Sequence, residues 1–308
     1  MPPTRAAGFG IVAGMAPLSP AYASLHGLRI GDAFGARITL PGDHPDVVGR
    51  VLPPGPWTWT DDTEMACSVV SVLDRHGHLD QDDLADHFQR HFDPDRGYGP
   101  GAERVLLRYR RGESWRDIAR SVFGGGSWGN GAAMRVAPLG AWFAPELDRV
   151  VTEAAKSAEV THAHPEGIAG AVAVAVAAAL ACTSPLDGGD LLRAVATRVA
   201  PGEVRRRIEV AAEFRGTAEE AARELGNGRE VSAMDSVPLS LWLAAHHSGD
   251  FEDALWTAAR VAEDVDTVCA MTGGIIAART GYDGIPVRWR ESGEPLPHWL
   301  APSAVHEA

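Results

Sequence analysis

Trp59-Thr60-Asp61-Asp62-Thr63-Glu64-Met65-Ala66-Cys67 passes from hydroxyls and carboxylates straight into an apolar stretch that continues at helical spacing to Leu73. Near the other end of the chain, Asp264-Val265-Asp266-Thr267-Val268-Cys269-Ala270-Met271 repeats the order of acid, threonine and small apolar helix. Asp and Thr are favoured at helix entrances, so either cluster alone reads as a capping segment, with Asp61 and Glu64 in capping register. Two such entrances aimed at one point would instead crowd four carboxylates into one hole. Like charges at that range cannot all stay ionised, so the hole calls for cations. Two divalent ions balance four carboxylates, and all-oxygen donors suit Mg²⁺ or Mn²⁺.

Outward from these clusters the chain reads as helix nearly throughout. Helical spacing recurs in 64–73, 84–92, 132–143, 168–182, 191–199, 204–214, 237–246, 251–261 and 268–278, while no stretch alternates at period two for long. Pro165-Glu166 is a start signal for the alanine-rich run that follows. Breakers gather in 40–56 and in the five glycines of 124–131. No linker with a lasting shift in composition divides the chain. The expectation is an all-α protein with one compact helical domain over residues 24–281, a flexible leader over 1–23 and a Pro-rich coil over 282–308.

The bulk numbers narrow the partners. A net charge of −13 repels nucleic acid and anionic lipid, so neither is an expected partner. The weakly apolar Gly8–Leu18 stretch carries one charge ahead of it and reads as a leader or an upstream start rather than a signal peptide. Ile168–Cys182 is short for a membrane span and suits a buried helix. Cys67, Cys182 and Cys269 each sit in apolar sequence with no metal or redox spacing, which fits free thiols in a cytoplasmic protein.

Three further pieces carry chemistry. Phe123-Gly124-Gly125-Gly126-Ser127-Trp128-Gly129-Asn130-Gly131 can present successive backbone N–H groups to phosphate, or be a plain turn; it is neither Walker A nor the dinucleotide fingerprint. Arg96-Gly97-Tyr98-Gly99-Pro100 offers a cation and an aromatic on a tight turn. Thr161-His162-Ala163-His164-Pro165 sets two histidines before a helix, where they could bond a ribose or merely satisfy the helix start. Gly27 to Gly35 reads as close helix packing, with Asp32 as a buried acceptor behind the acidic clusters.

Taken in order, Gly27-x-x-x-Gly31-Asp32-Ala33-x-Gly35, Trp59 to Met65, Arg96 to Gly99, Gly126 to Gly140 with its Met134-Arg135 step, Thr161 to Pro165 and Asp264 to Thr267 resemble the ADP-ribosylglycohydrolase family over about residues 24–281. The resemblance implies an all-helical domain with a dinuclear Mg²⁺ or Mn²⁺ centre at the bottom of an ADP-ribose cleft. It implies Thr60, Asp61, Asp62, Asp264, Asp266 and Thr267 as metal ligands. Ser127, Gly129, Asn130, Gly131 and Met134 would hold the phosphates and proximal ribose, His162 would stand near the distal ribose, and Gly97 and Tyr98 would line the cleft. The substrate would be an ADP-ribosylated protein side chain or small molecule, and the protein a bacterial, cytoplasmic monomer.

Cleavage at C1″ of ribose passes through an oxocarbenium-like state, helped by oriented hydroxyls and a deprotonated water. Asp62 or Asp266 is a candidate for that proton, with Asp93 or Asp95 beside the Arg96 turn as the alternative. Two departures stand out. Ala262-Glu263 replaces the Gly-Gly usual before Asp-x-Asp-Thr, so Glu263 could be an added ligand, alter metal preference or face solvent. The stretch after Gly35 lacks the glutamate that serine-specific relatives carry on a flap, which favours an arginine-type or an unassigned linkage over serine. A catalytically silent ADP-ribose binder and a two-metal nucleotide phosphoesterase are the competing readings; the latter would call for histidine ligands.

Overall fold

The computed structural model describes residues 18–300, and among these there is no strand, only two isolated bridges. The chain opens with α1 (Pro20–Gly35), α2 (Pro45–Val48), α3 (Asp61–His76), α4 (Gln81–His91), α5 (Pro100–Arg110) and α6 (Trp115–Ser121). Next come α7 (Ala137–Trp142), α8 (Leu147–Glu159), α9 (Pro165–Thr183), α10 (Gly188–Ala196), α11 (Glu203–Glu213) and α12 (Ala218–Leu225). The last are α13 (Ala233–His246), α14 (Phe251–Val261), α15 (Val265–Thr280) and α16 (Val287–Ser292). The all-α expectation holds.

The centre of the molecule is the pair α1 and α15. Gly27, Gly31 and Gly35 recur every four residues on one face of α1, and α15 lies directly on them. A Cβ on Gly31 would stand 2.2 Å from the Cys269 carbonyl oxygen, and one on Gly35 would stand 2.5 Å from the Asp266 Cα. Close backbone approach of this kind is open only to glycine. Around the pair pack α7, α9, α13 and α14. Helix α9 is long and apolar enough to cross a membrane by composition, yet its residues are buried among α7, α8, α13 and α15. An alanine-valine helix is apolar on every side, so it needs neighbours on every side.

Several boundaries differ from the sequence expectation. Helix α1 begins at Pro20 behind its Ser19 cap, and Tyr22 is buried, so the helical domain already includes residues before 24; residues 1–17 lie outside the described part. The run read as one helix over 132–143 is broken, because Pro138 opens α7 as a fresh start. Residues 282–300 are not a loose coil. Helix α16 drives Trp289 into a nest with Phe34, Trp57 and Trp256, at ring separations of 4.5, 5.5 and 6.2 Å. The backbone of Ser292 and Glu294 then pairs with Trp57 through bonds of 2.7 and 2.8 Å. Residues 301–308 lie outside the described part.

Candidate active site

The seam between α1 and α15 decides where the acidic groups meet. Asp32, fully buried on α1, accepts the backbone N–H of Thr60 at 2.9 Å and that of Thr63 at 3.1 Å, and both threonine hydroxyls donate to it. Those bonds fasten the start of α3 to α1. Thr60 is the helix cap, its hydroxyl accepting from the Asp62 N–H at 3.4 Å, so the expected Asp61–Glu64 capping register is off by one. The same seam brings in the start of α15. Carboxylate oxygens of Asp32, Asp62 and Asp266 consequently fall within 4.8 Å of one another.

Asp61 and Asp264 border this group, and both line the cleft above it with Asp62, Asp266 and Thr267. Burial pushes the Asp32 carboxyl up to about 7, with Asp266 adding to the rise and the threonine bonds opposing it. Asp264 is likewise pushed up to about 7 by burial and then by Asp266. Asp61 and Asp62 are raised by burial and by the carboxylates around them. Asp62 Oδ1 is buried with no hydrogen-bond partner. An orphaned oxygen among mutually repelling carboxylates is what a bound cation would satisfy, and the donor set fits a hard divalent ion.

Above the acids is a cleft of about 470 Å³. One wall is the glycine loop. Gly126 is left-handed at φ 98° and backs onto Ala163 and His164, while Ser127 Oγ accepts the Gly129 N–H at 3.1 Å. His162 lies beneath the loop, where a Cβ on Gly131 would come within 2.9 Å of its ring. Its Nδ1 pairs with the Thr161 hydroxyl at 2.7 Å, and burial, then the nearby Arg135 charge, pushes it down to about 3, so the imidazole is neutral. Arg135 itself is spent on structure: it bonds the Gly131 and Ser157 carbonyls and stacks over Phe88. Ser127, Gly129, Gly131, Met134 and His162 all line the cleft, as does Gly97 on the facing turn.

Three of the expected residues lie outside the cleft lining, and a fourth is turned to the floor. Asn130 lines the cleft, but its amide nitrogen donates to Asp264 Oδ2 at 2.6 Å and Ser236 Oγ at 2.9 Å, so it holds the acidic floor. Tyr98 is turned inward: its hydroxyl donates to Glu64 at 2.7 Å and its ring meets Phe92 edge-on, leaving it out of the lining. Asp95 is exposed on the outer side of the turn and does not reach the cleft, because the left-handed Gly97 redirects the chain after it. Thr60, behind the floor, is also outside the lining. Glu263 reaches Asn227 at 3.2 Å and Arg229 at 3.7 Å, is half exposed, and is no part of the acidic group.

The sequence reading missed a whole wall. Residues 227–231 form a loop whose N–H groups at Asn227 and Glu230 donate to the buried Asp235, and Gly228 packs on Asp264. Glu230 and Val231 from this loop line the cleft beside Phe123 and Trp128. The Gly226-Asn227-Gly228 breakers were the available signal. The Glu64–Tyr98 bond had none, since it depends on how α3 meets the Arg96 turn.

A family model described as ADP-ribosylglycohydrolase matches residues 15–304. The chain belongs to the ADP-ribosylglycohydrolase family. Human ADP-ribosylhydrolase ARH3 is 31% identical over 278 residues, spanning 77% of this chain and 74% of that protein. The ADP-ribosylarginine hydrolase Tri1 of Serratia proteamaculans is 28% identical over 288 residues, spanning 88% and 74%. A solved chain described as an ADP-ribosylglycohydrolase-related protein complex superposes with a TM-score of 0.65 at 26% identity, covering 90% of this chain and 92% of its own. As an ADP-ribosylglycohydrolase the protein is a hydrolase, and the cleft over the acidic floor is its candidate active site.

Proposed function

We propose that this ADP-ribosylglycohydrolase takes an ADP-ribosylated side chain or small molecule into the cleft and hydrolyses the bond at C1″, releasing ADP-ribose. The observation that carries the reading is the Asp32–Asp62–Asp266 group, two of its members buried and Asp266 half-buried, with its orphaned Asp62 oxygen, at the foot of a glycine-lined cleft. Asp61, Asp62, Asp264 and Asp266, supported by Thr60, Thr267 and Asp32, would hold two divalent cations, Mg²⁺ or Mn²⁺. When bound, such ions neutralise the carboxylates and acidify a water held between protein and substrate.

The chain's own residues then do the rest. The N–H groups of the 127–131 loop other than those of Gly129 and Asn130, which are bonded within the protein, donate to the phosphates, and the neutral His162 offers a ring nitrogen without adding charge beneath them. Asp62, on the cleft floor, accepts the proton of the attacking water. Asp266 stays as the alternative acceptor; Asp95, exposed and outside the cleft, drops out.

For the linkage we infer arginine, supported by the lack of a flap glutamate after Gly35 and by the Tri1 relative named as an ADP-ribosylarginine hydrolase. The silent-binder reading rested mainly on Glu263, and that side chain bonds to the 227–229 loop. The test is release of ADP-ribose from ADP-ribosyl-arginine, ADP-ribosyl-serine peptides and O-acetyl-ADP-ribose with Mg²⁺, Mn²⁺ or EDTA. Metal-dependent release with arginine preferred is expected. Release that persists undiminished in EDTA would sink the metal centre, and no release from any substrate would sink the enzyme.

A further inference from the structure

The Arg96 turn bears on the cleft through a junction that neither the acidic floor nor the glycine loop explains. Arg96 donates to the Trp59 carbonyl at 3.0 Å and makes a two-pronged pair with Glu294, at 2.8 and 3.0 Å, while its guanidinium lies 3.3 Å above the Trp59 ring centre. Three segments therefore meet at one side chain. The first runs into Thr60-Asp61-Asp62, the second is the Gly97–Ala102 wall of the cleft, and the third is the C-terminal strap after α16. The strap is fixed in its own right: the Trp59 indole donates to the Pro295 carbonyl at 3.0 Å, and Arg29 donates to the carbonyl of Glu294.

The turn has little else to hold it. Gly97 is left-handed at φ 83°, and at both Gly97 and Gly99 nothing lies within 4 Å of where a Cβ would be. Its inner side is tied to α3 by the Tyr98 and Asp93 bonds to Glu64. Its outer side hangs on Arg96. A planar, two-pronged guanidinium–carboxylate pair fixes direction as well as distance, and this one is largely shielded, with side-chain exposures of 19% and 30%.

We propose that Glu294, acting through Arg96, is a positioning residue that sets the cleft wall over the acidic floor and so governs affinity for the ADP-ribose moiety. The inference rests on the reading of the cleft as an ADP-ribose site. Its consequence is that the strap, remote from the acids in sequence, tunes KM more than kcat.

The experiment compares wild type, Glu294→Gln and Glu294→Asp by amide hydrogen exchange of the free protein, by ADP-ribose titration in Mn²⁺, and by thermal melting. For Glu294→Gln the expected result is faster exchange confined to residues 57–62 and 93–102, with ADP-ribose affinity down roughly tenfold and kcat changed less than twofold. Glu294→Asp, which keeps the charge, should recover most of the affinity. Wild-type exchange in Glu294→Gln overturns the proposal. So does faster exchange spread through the whole core with a lowered melting point, since the pair would then be a general staple. Failure of the wild type to bind ADP-ribose would instead overturn the functional reading, and the exchange pattern alone would decide the role of Glu294.

Discussion

The α1–α15 seam and the cleft wall are built by opposite means. In the seam, backbone rests on backbone: a Cβ at Gly27 would sit 2.4 Å from the Gly273 carbonyl oxygen, and Gly27, Gly31, Gly273 and Ala277 are all buried. In the wall, loops carry strained and exposed positions, with Phe123 at φ 54° and Val231 at φ 49°, each more than half exposed. The seam holds the carboxylates together, and the wall carries the surfaces that line the cleft. Rigidity is thus concentrated under the floor, while the wall depends on single polar anchors such as Asp235 beneath the 227–231 loop.

The harshest way to break this contrast is Gly31→Val. With no room beyond 2.2 Å, the helices must part, and we expect a loss of more than about 4 kcal/mol, read by denaturant unfolding. A variant that folds with near-native stability would show that the seam yields as the wall does. Next in size is the pair Asp61→Ala with Asp266→Ala, which should abolish metal binding and turnover while leaving the helical circular dichroism intact. In EDTA it should melt above the wild type, because two mutually repelling buried acids are gone. A collapse of helicity would mean that the acids serve the fold.

A pH series sharpens the comparison from the floor side. Asp32 and Asp264 have folded values raised to about 7, so in metal-free protein their penalty is absent below the ordinary carboxylate range and grows as pH rises towards 7. His26 and His162, pushed down to about 3 chiefly by burial, act the other way, costing stability as pH falls below the ordinary histidine range near 6.5. Between about 6.5 and 7.5 the carboxylates outweigh the fading histidine contribution. There the melting point in EDTA should fall with rising pH, and the gain on adding Mn²⁺ should grow. A gain independent of pH across that window would place the metal away from these groups. The smallest effect is expected for Glu263→Gly, with activity and metal preference within about twofold, since the side chain is half exposed and bonded to the loop.

What the sequence disclosed follows the same division. Helix α14 was readable to its end residues, Phe251 and Val261, because its apolar spacing is local. The two acidic clusters were readable because each is contiguous. The bonds that join them were not: Asp32 to Thr60 and Thr63, and Asn130 to Asp264, link residues far apart in the chain. Helix α12 was overlooked although Thr217 and Glu220 form a reciprocal cap that the sequence does display. The C-terminal strap was misread because prolines and glycines hide one decisive residue, the fully buried Trp289.

The partnership of α1 with α15 also has a meaning in time. A ribosome delivers α1 first, and its mate emerges only after more than two hundred further residues have been made. Until then the glycine face of α1 has no permanent cover, and contacts between such distant parts of a chain form late. Asp32, Asp62 and Asp266 cannot be assembled on an unfinished polypeptide. On the proposed reading, catalytic competence waits for α15, and nascent fragments ending before it are expected to be inert.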